Sequence, residues 1–329
     1  IDIWNGSVGS RKGSGGGVIL KAKSSISGTG LVSARAGQGG SGHSSGGGGR
    51  MAFYLTAPTA TFDDLGWTVE CFGARNNGAL TSCRPGTIYR QLAADEDEHG
   101  ELMIVGTDLA APGRTVNDAT NYTYCTPLKS EGTSEFRFRQ ITLKGAATLG
   151  IIPGSTLDLT GTTISGSTGK YQDAIILAGG TLKLPGDAYD FTNVQLWSVA
   201  PSVIKFLSGD GLGTLSLHRD CRFDCPVGIP GSLVIVSNKV YHTAQGVAYK
   251  RFWTEIETTN DLTVLAKGTI SGDGAGFAGA SSPGYGGVNS IGGSYGGMGH
   301  GATLANCYGD PRDPQEGGSA GQGAGGGLV

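Results

Sequence analysis

The sequence predicts an all-β chain, a parallel β-helix with ordered glycine-rich segments at both ends. Three observations predict it. Helix signals are nearly absent, whereas short runs alternate apolar with polar or small side chains and close on Gly, Asn, Asp or Ser. Two-residue Asn-Gly or Asp-Gly loops between such runs are scarce, which argues against a sandwich of hairpins. A phrase instead recurs, an apolar pair, then Gly, then Thr/Ser-Ile. It appears as KAKSSISGTGLVSA (21–34), STLDLTGTTISGS (155–167) and LTVLAKGTISGDG (262–274). Self-similarity of this kind points to stacked coils, each giving one strand to each sheet.

The strands follow in chain order. VILKAK (18–23) and RMAFYL (50–55) each follow a Gly run, and WTVECF (67–72) precedes a loop-like stretch. IYRQLAADEDEHGEL (88–102) has helix formers but follows Pro85-Gly86 and leads into LMIVG; it reads as a hairpin-like excursion with DEDE (95–98) as a solvated acidic turn. EFRFRQITLKG, STLDLTG, AIILAGG, TLKLPG, GTLSLHR, SLVIVS, RFWTEIE, DLTVLAKG and TISG complete the set. The organisation read from this is 1–56, Gly-rich coils; 57–139, a β-rich segment with a Cys-bracketed loop and the acidic excursion; 140–271, a central β-helix; and 272–329, Gly-rich coils.

The chain has 61 Gly in 329 residues, against an ordinary content of about 7%. The tracts 37–49 and 272–302 carry little apolar mass, yet they punctuate strands, and Phe277, Tyr285 and Tyr295 recur inside the second. They read as ordered backbone packed where a Cβ would clash. The formal net charge of −3 gives no reason to expect nucleic acid, and no apolar run is long enough for a membrane span. Six Cys (71, 83, 125, 221, 225 and 307) without paired CxxC and His spacing predict disulfides and an oxidising compartment rather than zinc. Cys71 and Cys83 bracket a loop, Cys221 and Cys225 lie four apart, and Cys125 and Cys307 remain by elimination. Asn5 and Asn121 head N-x-S/T triplets and are candidate glycan acceptors.

Enzyme chemistry is weighed on Asp63, Asp64, Asp210, Asp220, Asp224, Asp273 and Asp310. Asp210 and Asp273 sit in Gly turns, where Asp forms turns. HRDCRFDC (218–225) is the densest polar group and reads as a stapled turn. Isolated Gly-Asp-Gly without a series argues against a calcium solenoid. The expectation is no catalytic residue, no metal and no cofactor. Tyr54, Trp67, Tyr89, Tyr122, Tyr124 and Trp253 are set down as aromatic side chains able to stack on sugars, with packing as the plainer role.

SGGGVILKAKSSISGTGLVSARAGQGGSGHSSGGGGRMAFYL is similar to the unit of very large glycine-rich surface proteins, adhesin-like or filament-forming. CRPGTIYRQLAADEDEHGELMIVG and GGSYGGMGHGATLANCYGDPRDPQEGGSAGQGAGGGLV resemble other phrases of the same proteins. The resemblance covers about 12–56, 83–105 and 292–329. It implies a secreted parallel β-helix built of tandem units, with no shared chemistry to carry over. In the family phrase a Gly run opens into a full strand. Here Gly325, Gly326 and Gly327 open into Leu328 and Val329, while Ile1, Ile3 and Trp4 supply an alternating stretch with no Gly run before it. The expectation is therefore an extracellular structural subunit or tandem repeat that pairs head to tail with itself through those residues, with glycans as possible decoration. A surface adhesin domain that binds glycans is the alternative, and a polysaccharide lyase or hydrolase the second.

Overall fold

The computed structural model describes residues 13–36, 46–62, 68–71, 85–106, 125–166, 173–245, 252–277, 294–297, 299, 302, 307–308, 310–312, 316, 318–319 and 325–329. Among them there is no helix, and all but one of the strand pairings given by their register are parallel. The chain divides into two compact units, Ile1–Ile176 with Gly180–Pro185, and Leu177–Gly179 with Gly186–Val329.

The first unit holds β1 (Gly17–Ala22), β2 (Leu31–Ser33), β3 (Arg50–Leu55), β4 (Thr68–Glu70), β5 (Thr87–Leu92), β6 (Glu101–Val105), β7 (Thr126–Pro127), β8 (Glu135–Arg137), β9 (Gln140–Lys144), β10 (Thr148–Ile151), β11 (Thr156–Asp158), β12 (Thr163–Ser165), the start of β13 (Ala174–Ala178), and β14 (Thr181–Leu184). Its main sheet runs β1-β3-β5-β6-β9-β12, flanked by the ladders β7-β10-β13 and β8-β11-β14 and the pair β2-β4. Thr156 stands between Glu135 and Thr181, and Gln140 beside Thr163, offsets of 21, 25 and 23 residues. Strand after strand thus returns to the same ladder, an arrangement compatible with a β-solenoid. The early offsets are longer, 33 residues from Gly17 to Arg50 and 37 from Arg50 to Thr87.

Alternation decides which side of each strand is buried. In β3, Met51, Phe53 and Leu55 point inward, and Val18, Met51 and Ile88 form one column across three strands. Val32 and Ala34 pack over that column, as do Met103 and Val105 of β6. The glycine runs before these strands lie in contact. Arg50 N donates to Gly16 O (3.0 Å) and Thr87 N to Gly49 O (3.2 Å). A Cβ on Gly86 would collide with the Gly49 carbonyl oxygen, so only Gly fits there.

The excursion at 88–102 forms the one antiparallel pairing among those whose register is given for the described residues, with Ile88 opposite Met103 and Arg90 opposite Glu101. It does more than turn the chain. Leu102 and Ile104 lie on the face opposite Met103, and they continue into Ile141 and Leu143, all four buried. The core therefore sits on one face of the sheet at β1–β3–β5 and on the other at β6–β9–β12. Reversal of strand direction alone would invert the hand of the crossovers. Reversal combined with a change of face is a half-turn about the stacking direction, which keeps it. The acidic turn is only partly solvated: Asp95 accepts from Arg139 Nε and from Leu92 N, both at 2.8 Å.

The second unit contains β15 (Ala188–Phe191), β16 (Gln195–Ala200), β17 (Val203–Phe206), β18 (Gly213–Leu217), β19 (Cys221–Phe223), β20 (Val227–Ile229), β21 (Gly231–Ile235), β22 (Lys239–Tyr241), β23 (Ile256–Thr258), β24 (Leu262–Val264) and β25 (Thr269–Ser271). They form the ladders β16-β19-β22-β25 and β15-β18-β21-β24 and the pair β20-β23. Two apolar columns fill it: Tyr189, Leu215, Leu233, Leu262 and Phe191, Leu217, Ile235, Val264.

The disulfide expectation is overturned: among the described residues Cys71, Cys125, Cys221, Cys225 and Cys307 form no disulfide, and Cys83 lies outside them. The ladder explains the nearest pair. Cys221 Sγ donates to Arg219 O (3.1 Å), two residues away, while Cys225 Sγ is paired with Ser198 Oγ (3.3 Å) on the preceding rung, so the two sulfurs are engaged with different partners.

Candidate functional site

Two of the acids read as possible catalysts, Asp220 and Asp224, serve the ladder. Asp220 Oδ1 accepts from Lys239 N (2.8 Å) and Asp224 Oδ1 from Thr243 N (2.7 Å), each 19 residues on, which is one rung. Asn238 Nδ2 donates to Arg219 O at the same offset (2.7 Å). Arg222 lies 3.2 Å from Asp224 and over the Trp197 ring at 4.0 Å, and all three are buried. HRDCRFDC is thus a tie between rungs, buried from Cys221 to Cys225 and part-exposed from His218 to Asp220. Asp210 caps its own turn, accepting from Leu212 N and Ser208 Oγ; these bonds hold its carboxyl below the usual range. Asp273 N donates to Ser271 Oγ, and Asp310 pairs with Arg312. Asp63 and Asp64 lie outside the described residues. Among the described residues no group of three or more His, Cys, Asp or Glu is placed to hold a metal ion.

Of the residues expected to join one copy to the next, Ile1, Ile3 and Trp4 lie outside the described residues, as do Asn5 and Asn121. The terminal Gly run is described, and it is bonded to its own chain. Gly276 N donates to Gly325 O (2.7 Å), Gly325 N to Phe277 O (3.1 Å), Gly318 N to Gly326 O (2.6 Å), Gly327 N to Gly272 O, and Thr254 N to Leu328 O (3.1 Å). Leu328 is buried and Val329 exposed. Nearby, Tyr295 and Tyr308 pack edge to face at 5.0 Å.

The exposed apolar end lies elsewhere. Leu215, Leu217, Leu233 and Ile235 are fully buried, yet Leu262 and Val264, next in the same two columns, are each 44% exposed, as is Leu265. β24 is the outermost strand of its ladder among the described residues. Among the described residues its inward side chains therefore have a rung on one side only.

The first unit carries a groove of about 1490 Å³. Its floor is the outer face of β1, β3 and β5, and its wall runs from Pro127 to Phe138. Pleating brings Ile19, Ala52 and Tyr89 into one column of the floor and Lys21, Tyr54 and Gln91 into the next. Tyr54 and Tyr89 meet edge to face at 6.0 Å, Tyr89 and Phe138 at 6.4 Å, and Lys21 Nζ stands 4.9 Å from the Tyr54 ring centre. Tyr89 is fixed at its hydroxyl, which donates to Gln91 Oε1 (2.8 Å) and accepts from Gly100 N (3.0 Å). Burial pushes that phenol up to about 12. At the rim, Glu98 holds a left-handed backbone (φ 64°), a conformation unusual for a non-Gly residue.

Of the six aromatics set down for sugar stacking, the fold brings Tyr54 and Tyr89 together. Trp253 lies in the second unit, with Nε1 donating to Glu255 (2.9 Å); Trp67, Tyr122 and Tyr124 lie outside the described residues. The sequence reading missed Ile19, Gln91 and Phe138 as groove residues; each looked like an ordinary strand or loop position. No family model, curated protein or solved structure matches this chain. Among the described residues no helix is long and apolar enough to cross a membrane.

Proposed function

We propose that the chain is a structural module of an extracellular fibre or surface protein. In this reading its ladders are the faces of a parallel β-solenoid, and rungs continue from one copy to the next. The carrying observation is the open column at Leu262 and Val264. An interior column that stops half-exposed on an outermost strand offers backbone donors and acceptors together with apolar area, and such an edge pairs with another strand unless it is blocked. No Pro or charged side chain stands within Leu262–Val264 to block it. A head-to-tail contact of this kind between unlike ends extends as a filament when its rotation does not close a ring. The glycine-rich resemblance supports an extracellular setting, since the free thiols no longer do. N-glycans on Asn5 and Asn121 belong to the same proposal. No catalytic step is assigned.

The test compares the chain with its Leu262→Lys/Val264→Lys variant by sedimentation velocity over a concentration series and by negative-stain microscopy. The native chain is expected to form elongated oligomers as concentration rises. The variant, altered only at half-exposed positions, is expected to remain monomeric with an unchanged melting temperature. A native chain that stays monomeric throughout, or a variant that assembles like it, refutes the reading.

A further inference from the structure

We propose that the groove over β1, β3 and β5 binds a neutral saccharide chain. The inference stands apart from fibre assembly, which uses the other unit.

Size is the first argument. About 1490 Å³ exceeds the roughly 300–1,000 Å³ of a small-molecule pocket and suits several linked rings. The floor is the second. A sheet face turned to solvent ordinarily carries polar side chains. This one carries Ile19, 68% exposed, with Ala52, Tyr54 and Tyr89 beside it. A pyranose presents an apolar C–H face and a rim of hydroxyls, so it needs a flat aromatic platform with hydrogen-bonding groups at its edge. Tyr54 and Tyr89, inclined at 63° to each other, each supply one flat ring face rather than a shared plane. Gln91, Thr133 and Asp158 are among the polar groups around it. Tyr89 is held from both sides of its hydroxyl, so the platform is ordered before any ligand arrives.

Charge selects within the saccharides. Six carboxylate side chains line the groove against four Lys and Arg; two of the six, Asp95 and Glu135, are paired with Arg139 (2.8 Å) and Lys183 (2.7 Å) from outside the lining, which leaves a small acidic excess. One of the four, Arg137, already faces Glu96 at 3.6 Å and donates to Thr160 O, and another, Lys21, lies against Tyr54. A uronate, sulfate or phosphate chain would meet net repulsion. Geometry disfavours an extended peptide. Tyr54 and Tyr89 stand on the face of β3 and β5, whose backbone groups are already paired within the sheet, so a peptide lying over them would find no free backbone ladder there.

Isothermal titration of the full chain against cello-, xylo-, manno- and laminarihexaose, with hexagalacturonate as the anionic probe, tests this. At least one neutral hexasaccharide is expected to bind. Tyr54→Ala should weaken it by about tenfold, the loss of one ring platform, whereas Tyr54→Phe should stay within about threefold. Ile19→Arg places a long charged side chain on the floor at a solvent-exposed position, so it blocks binding without a cost to folding. Trp253→Ala, in the second unit, and Leu262→Lys/Val264→Lys should leave binding unchanged. The proposal is overturned if no neutral hexasaccharide binds, if hexagalacturonate binds as tightly, or if binding survives Ile19→Arg.

Discussion

Tyr89 and Leu102 are paired across the antiparallel β5–β6 step and point to the same face of the sheet, yet Tyr89 opens to the groove and Leu102 is 5% exposed. One residue pair thus marks where an exposed floor becomes a core. The step is what lets a single sheet bury opposite faces along its length. Leu102→Ala should lower unfolding free energy by about 2–5 kcal/mol, the range for a buried Leu truncation. Tyr89→Phe, which leaves Gly100 N without its acceptor, should cost about 1 kcal/mol. Urea midpoints measure both. Equal costs would mean that Leu102 is not core.

The glycine column gives a sharper contrast. Gly86→Ala puts a methyl against the Gly49 carbonyl, with backbone on both sides unable to yield. We expect a loss of about 2 kcal/mol or more, in the range of overpacked sites. Gly17→Ala, whose new Cβ would meet nothing nearer than Arg50 O at 4.0 Å, should be neutral or stabilising. Thermal melts of the two variants decide whether the Gly tract is packed backbone.

The buried Arg222–Asp224 pair is asymmetric. Asp224 accepts both the amide and the hydroxyl of Thr243 and faces Arg222. Asp224→Ala leaves Arg222 buried without its counter-ion and should cost about 3–5 kcal/mol; Arg222→Met, which keeps the packing on Trp197, should cost less. Denaturant titration of both variants is the measurement, and the reverse order would show that the charge pair is not what holds the rung.

The thiols make a prediction in pH. Burial pushes Cys71 and Cys221 up to about 12, well above the ordinary thiol value near 9. Between those limits the unfolded chain releases protons that the folded chain keeps. Stability from these groups is therefore intact below about pH 9 and falls above it, by about 1.4 kcal/mol per pH unit for each thiol. Urea midpoints from pH 8 to 11 should show the decline, and Cys71→Ala should make it shallower. Ellman titration without reductant should find at least five thiols per chain in denaturant, with Cys71 and Cys221 silent in the native protein.

Strands whose alternation survives in sequence were legible: RMAFYL is β3, and the first residues of ELMIVG, GTLSLHR and SLVIVS lie in β6, β18 and β21, each segment running one or two residues past its strand. QLWSVA (195–200) was not, because Gln195 to Val199 are buried in succession and no period shows. β7, β20 and β22 are two or three residues long, too short to carry a period. The change of core face was written in Leu102-Met103-Ile104-Val105, apolar at every position, which is what a strand with cores on both sides requires. Read alone, it looked like any buried strand. The even Cys count misled because buried thiols serve as small apolar side chains. Tyr54 and Tyr89 stood among the aromatic candidates, but only the register between β3 and β5 brings them side by side.

Fibre diffraction from oriented assemblies of the native chain tests the central claim most directly. If rungs stack from copy to copy, the roughly 4.8 Å strand spacing lies along the fibre axis and gives a meridional reflection, absent from Leu262→Lys/Val264→Lys preparations. A 4.8 Å reflection on the equator, or the same meridional pattern from the variant, would contradict it.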